Sequence, residues 1–167
     1  MELSQAKNKF IQTWGALGTQ WGISKTMAQI HALLIVSPEV LSMEDIMAEL
    51  HISRGNASMN LRNLIDWGII FKEYKPGERR EYFSAEDNID ELARKIAKER
   101  SKREIKPTLR VLQEVSELEH SQTEEAVHFK KKTAELYEFL SRADNMLEKI
   151  TDYKESWITK TIMKLMK

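Results

Sequence analysis

The stretch that most constrains the fold runs from Leu50 to Ile70 and reads LHISRGNASMNLRNLIDWGII. Ser53 is a favourable N-cap residue, and Gly68 is a favourable helix stop because glycine tolerates the left-handed conformation. At about 100° per residue, the apolar residues between them fall on one side of a helix. The sequence therefore predicts a helix with one side locked to a core. The locking residues are Ala57, Leu61, Leu64 and Ile65.

The opposite side of this predicted helix carries side chains suited to the major groove of DNA. Asparagine pairs with adenine edges, arginine pairs with guanine edges, and an apolar side chain can contact a thymine methyl group. The positive N-terminal end of a helix also suits a phosphate, and a glycine in the first turn allows close approach. The candidate DNA-binding residues of the helix are Ser53, Arg54, Gly55, Asn56, Met59, Arg62 and Asn63.

Three shorter helical patterns precede this helix. A spacing of 4, 3 and 4 predicts one face of an N-terminal amphipathic helix, formed by Phe10, Trp14, Leu17 and Trp21. Ser24 is a plausible N-cap for a second helix, whose inward residues are Met27, Ile30 and Leu34. Ser42 followed by Asp45 resembles a capping box and predicts the start of a third helix.

After Gly68 the pattern changes from helical to extended. The runs IIFKEY and REYF favour β-structure, and KPGER between them is a turn signal, so the sequence predicts a hairpin. Helix, helix, tight turn, helix and hairpin is the order of a winged helix-turn-helix domain. The basic residues at the hairpin tip suit the DNA backbone or an adjacent minor groove. They are Lys75, Arg79 and Arg80.

The C-terminal half is rich in helix formers and is predicted to form long helices. Pro107 should kink or split the first of them, because proline lacks an N–H group and clashes with the preceding turn. The second shows apolar residues at alternating spacings of 3 and 4, which predicts a heptad-like seam in a dimerisation arm. The seam residues are Ala126, Phe129, Thr133, Leu136, Leu140, Ala143, Leu147 and Ile150.

These patterns predict a mainly α fold with a small β-hairpin wing. A winged helix-turn-helix domain is followed by long C-terminal helices that form a dimerisation arm. The predicted organisation is an N-terminal packing or dimerisation helix over residues 1–22, a DNA-binding domain over 23–85, and a helical dimerisation and effector-sensing region over 86–167.

The charge of the chain is segregated although its formal net value is zero. From Arg94 to Arg110 there are 8 basic and 2 acidic residues, while the next 15 residues hold 5 acidic and no basic ones. A neutral total is therefore compatible with a basic surface for nucleic acid. Each run is also what a solvated helix face would show. The absence of cysteine excludes disulfide scaffolds, cysteine-ligated zinc and thiol nucleophiles, and no run is apolar enough to span a membrane. We expect a soluble cytoplasmic protein.

The segment LSMEDIMAELHISRGNASMNLRNLIDWGIIFKEYKPGERREYF closely resembles the DNA-binding core of the GbsR/MarR family of winged-helix transcriptional regulators. The run from Ile52 to Ile70 is its most specific part, and the resemblance extends from WGALGTQWGI to Phe83, about half of the chain. The resemblance implies a homodimer, two wings on a pseudo-palindromic operator, and control of transcription by sensing a signal.

The function expected from these observations is sequence-specific binding of double-stranded DNA by a homodimeric transcriptional regulator, a repressor, with a small-molecule effector of unknown identity. The alternative is a winged-helix module that docks on another protein without binding DNA. An enzyme is not expected, because the sequence holds no Gly-rich phosphate loop, no G-x-S-x-G, no H-E-x-x-H and no cysteine.

Two further groups of residues, one of tryptophans and one of histidines with a glutamate, could either bind a ligand or serve the structure. Trp14, Trp21 and Trp67 are candidates for an aromatic box that would bind a quaternary ammonium effector, but helix packing is the favoured interpretation. His120, Glu124 and His128 lie four residues apart on a predicted helix, yet no fourth ligand is visible and we expect no metal or cofactor. His31 and His51 are expected to be polar core or turn residues.

Overall fold

A computed structural model of the protein describes residues 1–117 and 123–152. Its helices are α1 (Leu3–Gln20), α2 (Lys25–Ile35), α3 (Met43–Leu50), α4 (Arg54–Asp66), α5 (Ile89–Arg100), α6 (Lys106–Ser116) and α7 (Glu124–Asp152). Its strands are β1 (Leu41–Ser42), β2 (Ile70–Tyr74) and β3 (Glu81–Ala85), which form an antiparallel sheet in the order β1-β3-β2.

The predicted fold class is confirmed, since the chain is mainly helical with a small sheet that contains the hairpin wing β2–β3. Contacts within the chain define two compact units, Met1–Leu92 and the part that begins at Ala93. The first unit holds α1 to α4 and the sheet. In the described ranges, no helix is both long and apolar enough to cross a bilayer.

The core of the first unit is built around α2, which is buried on nearly all sides. The predicted inward residues Met27, Ile30 and Leu34 are all buried. Helices α1, α3 and α4 and strand β3 pack against α2, so the central strand of the sheet also contributes to the core. The large side chains with the least exposure come from several elements: Phe83, Ile30, Ile46, Leu61, Leu64 and Ile70.

The buried face of α1 differs from the predicted one. The most deeply buried residues are Ile11, Gly15 and Gly18. A Cβ atom added to Gly18 would lie 2.4 Å from the Cβ of Ala28, so the glycine allows α1 to approach α2 closely. This close approach rotates the bulky aromatic residues to the edge of the contact, where Trp21 is 49% exposed. The predicted face residues Phe10, Trp14 and Leu17 are half-buried.

The helix ends follow the sequence signals. Ser24, Ser42 and Ser53 each accept a hydrogen bond from a backbone N–H three residues on. Ser42 forms a full capping box with Asp45, whose carboxylate accepts from the Ser42 backbone N–H at 2.9 Å. Gly68 follows α4 with a φ of +69°, which is the left-handed conformation expected of a helix stop.

Pro107 is predicted to kink or split the helix, and the structure shows a π-helical segment just before it. Residues Ser101–Ile105 form this wider turn, and α6 then begins at Lys106 with proline in its first turn. Proline cannot donate to the preceding turn and its ring needs extra space there, which a π-helical turn provides. The chain therefore stays helical through this region instead of splitting.

Within a single chain, the seam predicted on α7 is only partly buried, and its residues divide between a packed side and an exposed side of the helix. The side that packs on α6 and the π-helical segment includes Ala126, Thr133 and Asp144, all buried. The carboxylate of Asp144 accepts a hydrogen bond from the Ser101 hydroxyl. Two predicted seam residues are exposed instead, Phe129 by 40% and Leu136 by 52%.

Candidate nucleic-acid interface

Helix α4 is held by one side, as its sequence pattern predicts. Ala57, Leu61 and Leu64 are buried, the fourth predicted locking residue Ile65 is half-buried, and the helix packs against α2, α3 and β2. The Ser53 hydroxyl accepts from the Asn56 N–H at 3.3 Å and satisfies a backbone donor at the helix start. Packing and capping together fix the direction of α4, so its other side has a defined orientation toward solvent.

The outward side of α4 carries the residues assigned to it from the sequence. Arg62 is exposed, Met59 is 57% exposed, and Asn56 and Asn63 are half-buried. Gly55 is exposed in the first turn, and a Cβ atom added there would meet nothing within 4 Å. Internal packing does not require a glycine at this position.

Asn60 was missed by the sequence interpretation. It lies on the inner side of α4 and is only 1% exposed. Its amide nitrogen donates to the Asn56 backbone oxygen at 2.9 Å and to the Asn56 side-chain oxygen at 2.6 Å, while its own oxygen accepts from the Ser24 hydroxyl at 2.7 Å. Three asparagines in a helix of this length were a visible signal, but the pattern alone did not show which of them is internal.

Arg54 is paired with an acidic residue of the neighbouring helix. Its guanidinium group donates to the carboxylate of Glu44 on α3 at 2.6 Å. The pKa of Glu44 is lowered, first by a backbone hydrogen bond and then by Arg54, so the carboxylate is ionised near neutral pH. Both side chains are exposed, and a surface ion pair of this kind is weak enough for a phosphate to compete for the arginine.

The tip of the wing presents two exposed guanidinium groups, those of Arg79 and Arg80. Gly77, at the turn between β2 and β3, has a φ of +82°, a conformation that glycine adopts without strain. Lys75 is placed differently from the two arginines, because its ammonium nitrogen lies 4.4 Å from the centre of the Tyr82 ring. The sequence-predicted wing residues thus divide into two exposed arginines and one lysine held on an aromatic ring.

A basic residue of the wing that the sequence interpretation missed is Lys72 on β2. Its ammonium group donates to Glu81 on β3 at 2.7 Å, and this hydrogen bond is the main cause that raises the pKa of Lys72. The positive charge of Arg62 acts in the opposite direction on the same pKa. The charges of Arg62 on α4 and Lys72 on β2 are therefore close enough to influence each other.

The basic run that begins at Arg94 is partly neutralised by its own acidic residues and by α7. Glu99 is only 8% exposed and forms ion pairs with two basic side chains. The ion pairs are Glu99 with Lys102 and Arg103, Glu104 with Arg100, and Glu148 with Lys106. The net charge of +6 counted along the sequence therefore overstates the positive charge that this helix offers to a ligand.

Aromatic rings cluster on α1 and α2. The Trp14 ring lies 5.5 Å from Phe10, 6.1 Å from Trp21 and 6.5 Å from His31, measured between ring centres. The structure thus brings Trp14 and Trp21 together by direct packing on each other. The third candidate, Trp67, is half-buried at the C-terminal end of α4, where its backbone N–H donates to the Asn63 carbonyl at 3.0 Å.

His31 is a buried residue, as expected for a core histidine. It is 3% exposed, its Nε2 atom has no hydrogen-bond partner among the described residues, and burial lowers its pKa to about 4. Residues 1–117 and 123–152 contain no group of three His, Cys, Asp or Glu side chains that could hold a metal ion. His120, a member of the metal constellation considered from the sequence, lies outside the described residues.

Comparison with known proteins identifies the fold. No family model matches the chain, and no curated protein matches it. A crystal structure described as that of a transcriptional regulator is similar, with a TM-score of 0.69 and 19% identity. The match covers 90% of this chain and 99% of the other. At this identity the similarity shows the fold alone, so the GbsR/MarR assignment stays a prediction.

Proposed function

We propose that the protein is a sequence-specific, DNA-binding transcriptional regulator of the GbsR/MarR type. The two-sided construction of α4 carries this proposal. Its inner side is fully packed, while its outer side combines Arg62, Met59 and Asn56 with an open first turn at Gly55. Such a helix is rigid enough to enter a major groove in one orientation and carries the donors that read base edges. The similarity in fold to a transcriptional regulator supports the same interpretation.

Positive charge around α4 supports a polyanionic partner. The outward side and the wing carry basic side chains on α4, on β2 and in the turn between β2 and β3, which gives a phosphate backbone several contacts around one inserted helix. Glu44 and Glu81 hold two of these side chains in the free protein, so phosphates would replace carboxylates as their partners. The basic residues involved are Arg54, Arg62, Lys72, Arg79 and Arg80.

A stripe of exposed apolar residues on α7 supports the homodimer. The residues are spaced by seven, three and seven positions, as in the seam of a coiled coil, and they lie beside the buried side of the helix. Their exposure is large for apolar side chains in series, and exposed apolar patches of this kind often mark interaction surfaces, which supports placing the second subunit here. The exposed fractions are 40% for Phe129, 52% for Leu136, 63% for Phe139 and 67% for Met146.

This α7 stripe is self-complementary in the antiparallel direction. A twofold axis between Tyr137 and Glu138 places Leu136 of one copy opposite Phe139 of the other, and Phe129 opposite Met146. The same axis brings Glu135 of each copy close to Arg142 of the other, and both side chains are exposed. Equivalent contacts on both copies are the requirement of a closed twofold interface.

Selection from a pool of random duplex DNA tests the proposed function. We expect the full-length protein to enrich two inverted half-sites whose centres are about 10 base pairs apart or a multiple of this, as a twofold dimer requires. Recovery of DNA without any enriched sequence, or no recovery at low salt, would contradict the proposal and favour the protein-docking alternative. A Lys9→Ala protein is the control, because it removes one exposed charge from α1 and should enrich the same sequence.

A repressor is the regulatory role we propose, because occupancy of an operator by a dimer is sufficient to exclude other proteins from that DNA. An effector that binds preferentially to one arrangement of the dimer would change the distance between the two α4 helices and so the affinity for the operator. Reporter expression in cells with and without the protein distinguishes repression from activation.

A further inference from the structure

Asn60 is a fully buried asparagine on the packed side of α4, where an apolar residue would be the ordinary choice. A buried amide is costly unless all of its polar atoms find partners. Here every one of them does, through Ser24 at the start of α2 and Asn56 in the first turns of α4. The network connects the packed side of α4 with a residue on its outward side.

The direction of each hydrogen bond in this network follows from chemistry alone. The backbone oxygen of Asn56 can only accept, so the Asn60 atom at 2.9 Å must be the amide nitrogen. The other branch of the Asn60 amide is then the oxygen, and the Ser24 hydroxyl 2.7 Å away donates to it. This leaves the Ser24 oxygen free to accept from the Met27 N–H at 3.0 Å, which it does.

The same reasoning fixes the side chain of Asn56. The second N–H of Asn60 points at an atom of the Asn56 amide 2.6 Å away, and that atom must therefore be an acceptor, the oxygen. The NH₂ group of Asn56 lies on the other branch of its planar amide and so points away from Asn60. Asn56 is half-buried, and the hydrogen bond from Asn60 engages only its oxygen branch.

We propose that Asn60 is a positioning residue that holds Asn56 with its NH₂ group toward the DNA, so that Asn56 recognises a hydrogen-bond acceptor on a base. The proposal rests on the DNA-binding function proposed above. The acceptors available in the major groove are purine N7, guanine O6 and thymine O4, whereas cytosine offers a donor there. One position of each operator half-site is therefore specified by Asn56, and cytosine is disfavoured at that position on the contacted strand.

The test compares DNA selected by the wild-type protein with DNA selected by Asn60→Ala and Asn56→Asp. Asn60→Ala releases Asn56, and we expect the base preference at one half-site position to fall at least about threefold while the other positions are unchanged. Asn56→Asp keeps an acceptor for Asn60 but replaces the outward donor, and we expect the same position to shift toward a base that offers a donor. Thermal unfolding of each variant shows whether the fold is retained.

The outcomes separate the two proposals. If the wild-type protein enriches an operator and folded Asn60→Ala shows an unchanged preference at every position, the positioning role is wrong and the DNA-binding function stands. The positioning role is equally wrong if folded Asn60→Ala loses preference at all positions alike. If the wild-type protein enriches no sequence, the proposed function and this inference both fail.

A measurement on the wild-type protein covers the case in which Asn60→Ala does not fold. Side-chain amide protons of asparagine are visible by NMR, and their exchange with solvent reports burial. We expect slow exchange for Asn60 in the free protein, and fast exchange for Asn56 that becomes slow when the selected operator binds. Slow exchange of the Asn56 amide in the free protein, or no change on binding, would overturn the inference.

Discussion

Gly55 leaves open space beside the backbone in the first turn of α4. Nothing lies within 4 Å of the position that its Cβ would take, so alanine fits the free protein without any rearrangement. Glycine within a helix costs about 0.5–1 kcal/mol relative to alanine. A glycine that packing does not need and that weakens its helix is understandable if a partner must approach the backbone there.

Gly55→Ala should therefore change stability and binding in opposite directions. We expect the free energy of unfolding to rise by about 0.5 kcal/mol and operator affinity to fall on the order of tenfold, which corresponds to about 1.4 kcal/mol. Chemical denaturation and fluorescence anisotropy with labelled operator measure the two quantities. Gly68→Ala is a contrasting control, since its φ of +69° makes alanine strained and should lower stability. Unchanged operator affinity in Gly55→Ala would show that no DNA approaches this turn.

His31 predicts how stability depends on pH. Its pKa is lowered by burial to about 4 in the folded state from an ordinary value of 6.5, so the unfolded chain binds an extra proton between these two values. The stability associated with neutral His31 is fully present above pH 6.5 and is lost as the pH falls toward 4. The loss is at most about 3 kcal/mol. Denaturation at pH 7 and pH 4.5 measures it, and His31→Phe should show a smaller loss than the wild type. An equal loss in both proteins would assign the acid sensitivity to other groups.

At the scale of single elements, local signals were predictable and distant ones were not. The start and end of α4 follow from Ser53 and Gly68, which act on their own helix, and both are confirmed. The rotation of α1 was not predictable, because it depends on how closely Gly18 approaches Ala28 on another helix. The internal position of Asn60 was also not predictable, because it depends on a contact with Ser24, which is 36 residues away in sequence.

The seam on α7 shows a limit of periodicity as evidence. Apolar residues on two neighbouring sides of one helix produce a single alternating pattern in the sequence, and the pattern does not show which side faces the same chain. The structure assigns Ala126 and Thr133 to the side that packs on α6 and leaves Phe129 and Leu136 exposed. That division supplies the surface on which we place the dimer.

The proposed antiparallel dimer predicts which pairs of introduced cysteines form a disulfide, and the chain has no cysteine of its own that would compete. Phe129→Cys and Met146→Cys are prepared as separate proteins. We expect little crosslinking of either protein alone under oxidising conditions, and a crosslinked dimer in their mixture, because each cysteine faces the other variant across the axis. Gels without reductant measure the product.

A mixture of Val127→Cys with Met146→Cys is the control for this experiment. Val127 is 60% exposed but lies on another side of α7, so we expect no crosslink. Crosslinking of Phe129→Cys with itself would indicate parallel helices. The absence of any crosslink in the Phe129→Cys and Met146→Cys mixture would show that this stripe is not where two copies meet.

At the scale of the whole molecule, the proposed DNA-binding surface is divided between two elements with different tasks. The outward side of α4 offers few charges and several hydrogen-bonding groups, whereas the wing tip offers exposed arginines. Contacts to base edges depend on sequence, and contacts to phosphates do not. Residues 23–85 hold 7 basic and 8 acidic residues, so this division depends on where the charges lie and not on a net positive charge of the domain.

Binding of the selected operator and of random DNA, measured over a range of salt concentrations, tests the proposed role of α4 most directly. The proteins compared are the wild type, Arg62→Ala, and the double variant with Arg79→Ala and Arg80→Ala. We expect Arg62→Ala to reduce discrimination between the two DNAs by about 1–3 kcal/mol, the value of one bidentate base contact. We expect the wing variant to weaken binding of both DNAs about equally and to lower the salt slope by about 0.9 for each phosphate that an arginine no longer neutralises. Arg62→Ala binding the operator as selectively as the wild type would contradict the assignment of α4 as the helix that reads the bases.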